Sequence, residues 1–597
     1  MPTRYAATIA ATLLFLFAQI ATAQSQTAPR ELLTGADIGA KEWIYVGADR
    51  GALKNEIEPC DLPGHPKAVK LTVVTPSPDQ YWTLQLAQEQ THALPVNSVL
   101  RLKFWARSAT SNVIAAVFEH NADPYEKFLE QTLTLRPTWT EYALVFTVPR
   151  PIPEHWSGVR FQLGFKAGEI ELTGLSLEDW GVNPNPPPKA IGGTQDPFGG
   201  IEAKPGWQEE AEKRIDRIRR GNLLIRVVDG HGQPVQGAVV KVAQQTTKFR
   251  FGTALAATPL FDPGPDGQKY RAIVLKLFNA AVMENELKWQ SEDWVPAGTA
   301  DKMLAWCHQN GLSVRGHNLL WPSYKYLPKS VTDLRGDALR DAIHKHITDY
   351  VSQHRGEVYV WDVINEAVTN TEVTQSVGPG ILVDAYKWAR EADPNVLLAY
   401  NDFAILNNRA GANDGHKEAA AMVIRRLLDA GAPVTSLGIQ GHMSLPLTHG
   451  DRLLDILDEW AKFGLPLEIT EYDAAIKDDA LHAAYLREFL TAVYSHPAVT
   501  SFLMWGFWEG AHWLAAQGGA MYHKDWTPRP SVAVYEELVL KKWRTNVTLR
   551  SNRLGMAKTR AYLGDLMVQA TYGGRTSSAT VTVDKAGDEI SEITVVL

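Results

Sequence analysis

The sequence predicts an α/β barrel of eight parallel strands, preceded by an all-β jelly roll or sandwich and flanked by a small β extension. Three observations carry this reading. Eight short apolar segments alternate with helical ones over residues 249–543, residues 30–181 alternate apolar and polar side chains at a period of two, and a Pro- and Gly-rich stretch at 182–204 separates the two patterns. Eight βα units over that length is the count of a TIM barrel. At 597 residues the chain is too long for one ordinary core.

The elements follow in order. Residues 1–23, "MPTRYAATIAATLLFLFAQIATA", join one Arg to an apolar run and a small-residue Ala21-Thr22-Ala23 site, the pattern of a secretory signal peptide. Segments such as "VLRLKFWARS" and "WTEYALVFTV" make 30–181 a β-sandwich, and "NPNPPPKAIGG" marks 182–204 as a linker by composition. Within 205–248, "WQEEAEKRIDRIRRGN" reads as a charged helix with a solvated face, and "NLLIRVVDGHGQPVQGAVVKVAQ" as two strands around a turn. The barrel strands are "FRFGTAL", "FNAAVMEN", "SVRGHNLLW", "VYVWDVINE", "VLLAYNDF", "SLGIQGHMS", "LPLEITEYD" and "SFLMWGFW". After them, 544–597 returns to β alternation, and its expected partners are the strands at 223–242.

Composition narrows the function classes. With 45% hydrophobic and 21% charged residues this is a globular protein. The formal charge is −8, which makes nucleic acid a poor partner, and no segment after the leader is a membrane span. The expectation is a monomer, secreted to the periplasm or beyond, without a membrane partner. Cys60 and Cys307 fall in different domains and are expected as two buried free thiols. The 19 Trp stand out, because indoles stack on the apolar faces of sugars as well as filling cores.

In a TIM barrel the site lies at the C-terminal strand ends. Here those ends carry Glu284 and Asn285, His317, Asn365 and Glu366, Asn401 and Asp402, Gln440 and His442, and Glu471 and Asp473. One polar strand end is a cap, whereas six in order point to a site. Glycoside hydrolysis needs two carboxyl groups, one to protonate the leaving oxygen and one to attack or to activate water. Glu366 ends strand four and Glu471 strand seven, across the barrel mouth from each other. Period two puts Gln440 with His442 on one face, and Glu471 with Asp473 on one face of the adjacent strand. A chain Glu471–His442–Asp473 then keeps Glu471 ionised, as a nucleophile requires. Glu366 follows an apolar strand with no cation in view, so its pKa should be raised, as a general acid requires. For Asn365 and Glu366 both to face the site, the strand must end or bulge there. No metal or other cofactor is expected, since the strand-end histidines are single.

These residues reach a resemblance. "VMENELKW", "VRGHNLLW", "WDVINEA", "GIQGHMS", "ITEYD" and "MWGFWEGAHW" resemble, in order, the signature of glycoside hydrolase family 10, whose typical activity is endo-1,4-β-xylanase. The resemblance implies xylan as substrate and a retaining double displacement, with Glu366 as acid/base, Glu471 as nucleophile and their carboxyl groups about 5–5.5 Å apart. It further implies that Glu284, Asn285, Lys288, His317 and Trp321 hold the sugar on the non-reducing side of the cut. Asn365 would hold the reacting sugar's 2-hydroxyl, and Trp505 and Trp513 would stack near it. "PSYKYLP" after Trp321 and "WEGAHWLAAQGGAMYHKDW" after strand eight depart from the common bacterial form and resemble a subgroup that includes plant enzymes. The front domain resembles carbohydrate-binding modules of the sandwich type, with Trp43, Trp82, Trp105, Trp139, Trp156 and Trp180 as candidates and Trp82 as the one expected to be exposed. Two other readings remain at this point: a retaining hydrolase of another β-glycan or small β-glycoside, and a non-catalytic polysaccharide-binding protein.

Overall fold

The computed structural model describes residues 29–33, 42–110, 112–122, 125–182, 190–191, 197–198, 203–407 and 413–597. The expected signal peptide and most of the expected linker lie outside them. The chain divides into two compact units, Met1–Gln195 and Asp196–Leu597. Among the described residues no helix is long and apolar enough to cross a membrane.

The first unit is a sandwich of a seven-stranded and a five-stranded antiparallel sheet. Alternation builds it: in Val99–Arg107 every second side chain is buried, and Leu100, Leu102, Phe104 and Ala106 enter a core shared with Ile114, Phe118 and Phe161. Trp43 belongs to that core, whereas Trp82 is 46% exposed. Cys60 and, in the second unit, Cys307 are free thiols; Cys307 is buried as expected, whereas Cys60 is only half-buried.

The second unit begins with helix α1 (Trp207–Arg219). Its charged run is not solvated throughout. Arg219 donates to the carbonyl oxygens of Tyr494, His496 and Val499 at 2.9, 2.8 and 2.7 Å and lies against the rings of Phe249 and Tyr494, so one arginine of the run pins the helix to the barrel. The tail pairs as expected. Arg220–Val228 lies between Met556–Tyr562 and Ile590–Val596, while Val239–Gln244 lies between Asn546–Arg550 and Gly564–Tyr572. The two sheets share a separate apolar core that includes Ile225, Val240, Leu566 and Val568.

The barrel strands are β1 (Arg250–Leu255), β2 (Ala280–Met283), β3 (Ser313–Leu320), β4 (Val360–Asn365), β5 (Leu397–Asp402), β6 (Ser436–Ile439), β7 (Leu467–Ala474) and β8 (Val499–Met504). Every neighbouring pair is parallel, and β8 pairs back to β1, so the sheet closes. Strands buried on both faces explain the near-continuous apolar runs. The interior nevertheless holds charge. Arg315 on β3 is wholly buried, reaches Asp362 on β4 through Nε at 3.1 Å and lies 3.1 Å from Glu468 on β7 through Nη1. Glu468 also accepts from Tyr359 (2.9 Å), Ser436 (2.7 Å) and Ser501 (3.1 Å).

Candidate active site

The β4 terminus sets the geometry. Its pairing with β5 slips one residue between Asp362 and Ile364, and the strand ends at Asn365. Glu366 then takes a φ of +55°, the left-handed region that a non-glycine residue seldom occupies, while its N–H donates to Asn401 O at 2.9 Å. The turn lets consecutive residues face the barrel mouth. Asn365 Oδ1 accepts from Asn401 Nδ2 at 2.9 Å, and Glu366 Oε1 accepts from Gln440 Nε2 at 3.0 Å.

Asn401 links the two halves. Its Nδ2 also donates to Glu471 Oε1 at 2.8 Å, and its Oδ1 accepts from the Thr470 hydroxyl at 2.8 Å, which fixes the amide orientation. The other Glu471 oxygen accepts from His442 Nε2 at 3.2 Å, and His442 Nδ1 sits 2.9 Å from Asp473 Oδ1. Trp513 Nε1 closes the chain on Asp473 Oδ2 at 2.6 Å although its ring is 57% exposed. His317 Nδ1 is 2.8 Å from Asp362 Oδ2, so the buried arginine beneath the site also aligns this imidazole.

These contacts push the two carboxyl groups apart. Burial raises Glu366 to about 7; the Gln440 N–H opposes this, and the charges of Glu471 and Asp402 add to it. Burial also works against ionised Glu471, but donation from His442, the neighbouring His317 and donation from Asn401 outweigh it and hold the group below the usual carboxylate range. Burial disfavours the His442 imidazolium, yet Asp473 and Glu471 raise it to about 10. The result is a proton-carrying carboxyl opposite an ionised carboxylate that is hydrogen-bonded by a cation.

A cleft of about 630 Å³ opens over this pair. Glu366, Gln440, His442, Glu471, Asp473, Lys288, His317, Trp321, Trp505 and Trp513 all line it. Lys288 Nζ lies 5.6 and 5.7 Å from the ring centres of Trp321 and Trp505. Burial lowers the Lys288 pKa, and the charges of Glu471, Glu284 and Glu366 act against that. Asn365, Glu284 and Asn285 are expected site residues that do not line the cleft. Asn365 is wholly buried beneath it, with Nδ2 unpartnered among the described residues. Asn285 accepts from Lys288 at 3.3 Å, and Glu284 bears on the same ammonium electrostatically, so both act on the cleft through Lys288.

Residues 239–537 match the family model for glycosyl hydrolase family 10. The chain belongs to this family. Curated relatives include anti-sigma-I factor RsgI6 of Acetivibrio thermocellus, 29% identical over 62% of this chain and 47% of that protein. Endo-1,4-beta-xylanase 1 of Arabidopsis thaliana is 27% identical over 63% of this chain and 40% of its own length. Endo-1,4-beta-xylanase B of Thermotoga neapolitana is 27% identical over 54% of this chain and 96% of its own. The chain thus spans less than half the length of the first two and nearly all of the third.

Within the family 10 barrel, strand-end reasoning overlooked three contributions. Asn401 lies next to the end of β5 and is visible among the strand-end residues, but its pairing with Asn365 follows only from the β4 slip, and its bridge to Glu471 from the three-dimensional closure of the barrel. Tyr326, in the "PSYKYLP" loop that departs from the common pattern, stacks on Trp321 at 3.6 Å and holds that ring in place. Asp362 sits inside an apolar run and, three residues before Asn365, would by regular alternation face the other way, so spacing gives no sign of it until the register shift in β4 is known.

Proposed function

We propose that this chain is a secreted hydrolase that cuts β-1,4-xylosidic bonds of xylan with retention of configuration. The observation that carries the reading is that Glu366 and Glu471, from opposite sides of the barrel, line one cleft, Glu471 held by Asn401 and His442 and Glu366 by Gln440; their opposed pKa shifts agree with it. Family membership and the xylanase relatives support the substrate class, and the apolar leader supports secretion.

In the first step Glu471 Oε attacks the anomeric carbon while the glycosidic C–O bond breaks, and the Glu366 proton passes to the departing oxygen. Glu366, now a carboxylate, then takes a proton from water as the water oxygen attacks the same carbon and displaces Glu471. Two displacements restore the starting configuration. Lys288, Trp321 and Trp505 supply the platform for the sugar, and Asn365, buried beneath the cleft, supports it through Asn401.

The test is proton NMR of products during xylohexaose cleavage. The β-anomer should form first and mutarotate later; an initial α-anomer would replace retention by inversion. Product analysis on arabinoxylan, mixed-linkage glucan and aryl xylosides fixes the substrate, and xylan left intact while mixed-linkage glucan is cut would move the assignment to another β-glycan.

Two further results are expected. The alkaline limb of kcat/KM should fall with an apparent pKa near 7, because above it Glu366 has lost the proton the leaving group needs. A limb set above pH 9 would remove Glu366 from the acid role. Asn401→Ala removes a donor that keeps Glu471 ionised, so the acid limb should move upward and kcat should drop by about 10²-fold. An unchanged acid limb would make Asn401 a packing residue only.

A further inference from the structure

The loop after β8 carries an imidazole that the two displacements do not use. His512 directly precedes Trp513 and Leu514, both of which line the cleft. Its Nδ1 accepts from the Leu514 N–H at 3.0 Å and its carbonyl accepts from Ala515 N at 3.1 Å, so the turn beneath both lining residues is built on this one residue. Glycines make room for the ring. A Cβ at Gly506, where φ is +95°, would stand 2.9 Å from His512 Cδ2, and one at Gly519 would stand 2.8 Å from His512 Cε1. Trp513 Nε1 then ties the turn to Asp473 at 2.6 Å.

The bond to Leu514 fixes the tautomer. Nδ1 is the bare nitrogen and Nε2 carries the proton, buried and with no partner among the described residues. A second proton would have to enter at Nδ1, where it would face the Leu514 N–H. The carboxylates that bear on the ring are bonded elsewhere. Asp473 lies 2.9 Å from His442 and accepts from Trp513, while Glu509 accepts from Arg529 Nη2 at 2.7 Å and Lys524 N at 3.0 Å and lies 3.2 Å from His523. The other titratable groups facing His512 are His442, on the short strand beside β7, and His482, on the helix Asp479–Ser495. His482 is 0% exposed with neither ring nitrogen partnered among the described residues, and Arg529 and Asp479 bear on it in turn. Burial lowers the His512 pKa; Asp473 and Glu509 act against that, and His442 acts with it.

We propose that His512 is a positioning residue of the cleft and an acid-released latch: its neutral imidazole holds Trp513 and Leu514 in place, and its protonation frees the turn, weakening substrate binding more than the chemical step. In the open turn the imidazole regains its ordinary pKa of about 6.5, so opening is favoured progressively as pH falls from that value toward the lowered one. The effect on substrate rests on the proposed function, whereas the release of the turn stands apart from it.

Two readouts on the full chain test this. Hydrogen exchange over residues 505–520, corrected for the intrinsic pH dependence of exchange, should show protection falling between about pH 6.5 and pH 4.5 in the parent. His512→Asn, which keeps an acceptor for the Leu514 N–H but takes up no proton, should retain it. Over the same range KM for xylohexaose should rise about fivefold in the parent while kcat changes less, since Glu471 stays ionised. His512→Asn should match the parent KM near neutral pH and stay flat into acid, whereas His512→Ala, without the acceptor, should start high. Protection that falls equally in the parent and the Asn variant, or a KM indifferent to pH in an active parent, overturns the proposal. If the parent cleaves neither xylan nor mixed-linkage glucan yet the acid loss of protection depends on His512, the hydrolase reading fails and the latch stands.

Discussion

Glu471→Ala is expected to lower xylan hydrolysis by about 10⁴-fold or more, the largest change that one side chain should produce. The methyl group cannot attack the anomeric carbon, and it leaves space beside His442 and Asn401, which lose their acceptor. Azide fits that space and shares the carboxylate's charge. With an activated aryl xyloside it should therefore restore turnover and yield an α-xylosyl azide, since one displacement inverts. Glu366→Ala should behave in the opposite way. A dinitrophenolate leaving group needs no proton, so the first step survives, and azide in place of water should give the β-azide. Activity retained by the Glu471 variant, or the same azide anomer from both variants, would sink the assignment of roles.

How far the sequence reveals this site follows from the physics of strands. A period of two assigns faces without any knowledge of tertiary structure, so Gln440 with His442 and Glu471 with Asp473 could be paired from spacing alone, although β6 ends at Ile439 and His442–Met443 forms a separate short strand beside β7. The contrast between Glu366 and Glu471 was equally legible, because an apolar strand and a neighbouring imidazole shift a carboxyl in opposite directions. What spacing cannot supply is register. The slip in β4 and the left-handed turn at Glu366 decide that Asn365 and Asn401 meet, and that Asn401 can serve both Asn365 and Glu471. The tail strands were readable as β and as partners of the strands at 223–242, but not in their individual pairing and direction, since the parallel match of Ile590–Val596 with Arg220–Val228 spans more than three hundred residues. Arg219 and Arg315 escaped for a related reason: a charge inside a pattern reads as surface until its buried partners are known.

Arg315→Met should be the most destabilising single substitution outside the cleft. It conserves much of the volume but strands Asp362 and Glu468, at 0% and 1% exposure, without the guanidinium between them. Removing one member of a buried charged set costs about 3–5 kcal/mol, because the remaining charges have neither water nor a partner. The chain has more than one unit, so the readout is the calorimetric transition of the barrel rather than a global Tm, and that transition should fall by roughly 6–12 °C. The loss depends on pH, and its sign follows from Asp362. Burial disfavours ionised Asp362, but Arg315 and His317 hold its pKa below the usual value in the native chain. Its stabilising contribution is therefore full above the ordinary carboxylate pKa and is lost as pH falls through the lowered one. Without Arg315, burial dominates and the same group gains stability on protonation, so the gap between parent and variant should narrow from neutral pH toward pH 4. Glu468→Gln added to Arg315→Met removes one of the two stranded charges and should recover part of the loss. Because Asp362 also aligns His317, kcat/KM should fall in the single variant even well below its transition. A barrel transition unmoved at neutral pH, or a gap that widens in acid, would show that the buried triad is not held by its charges.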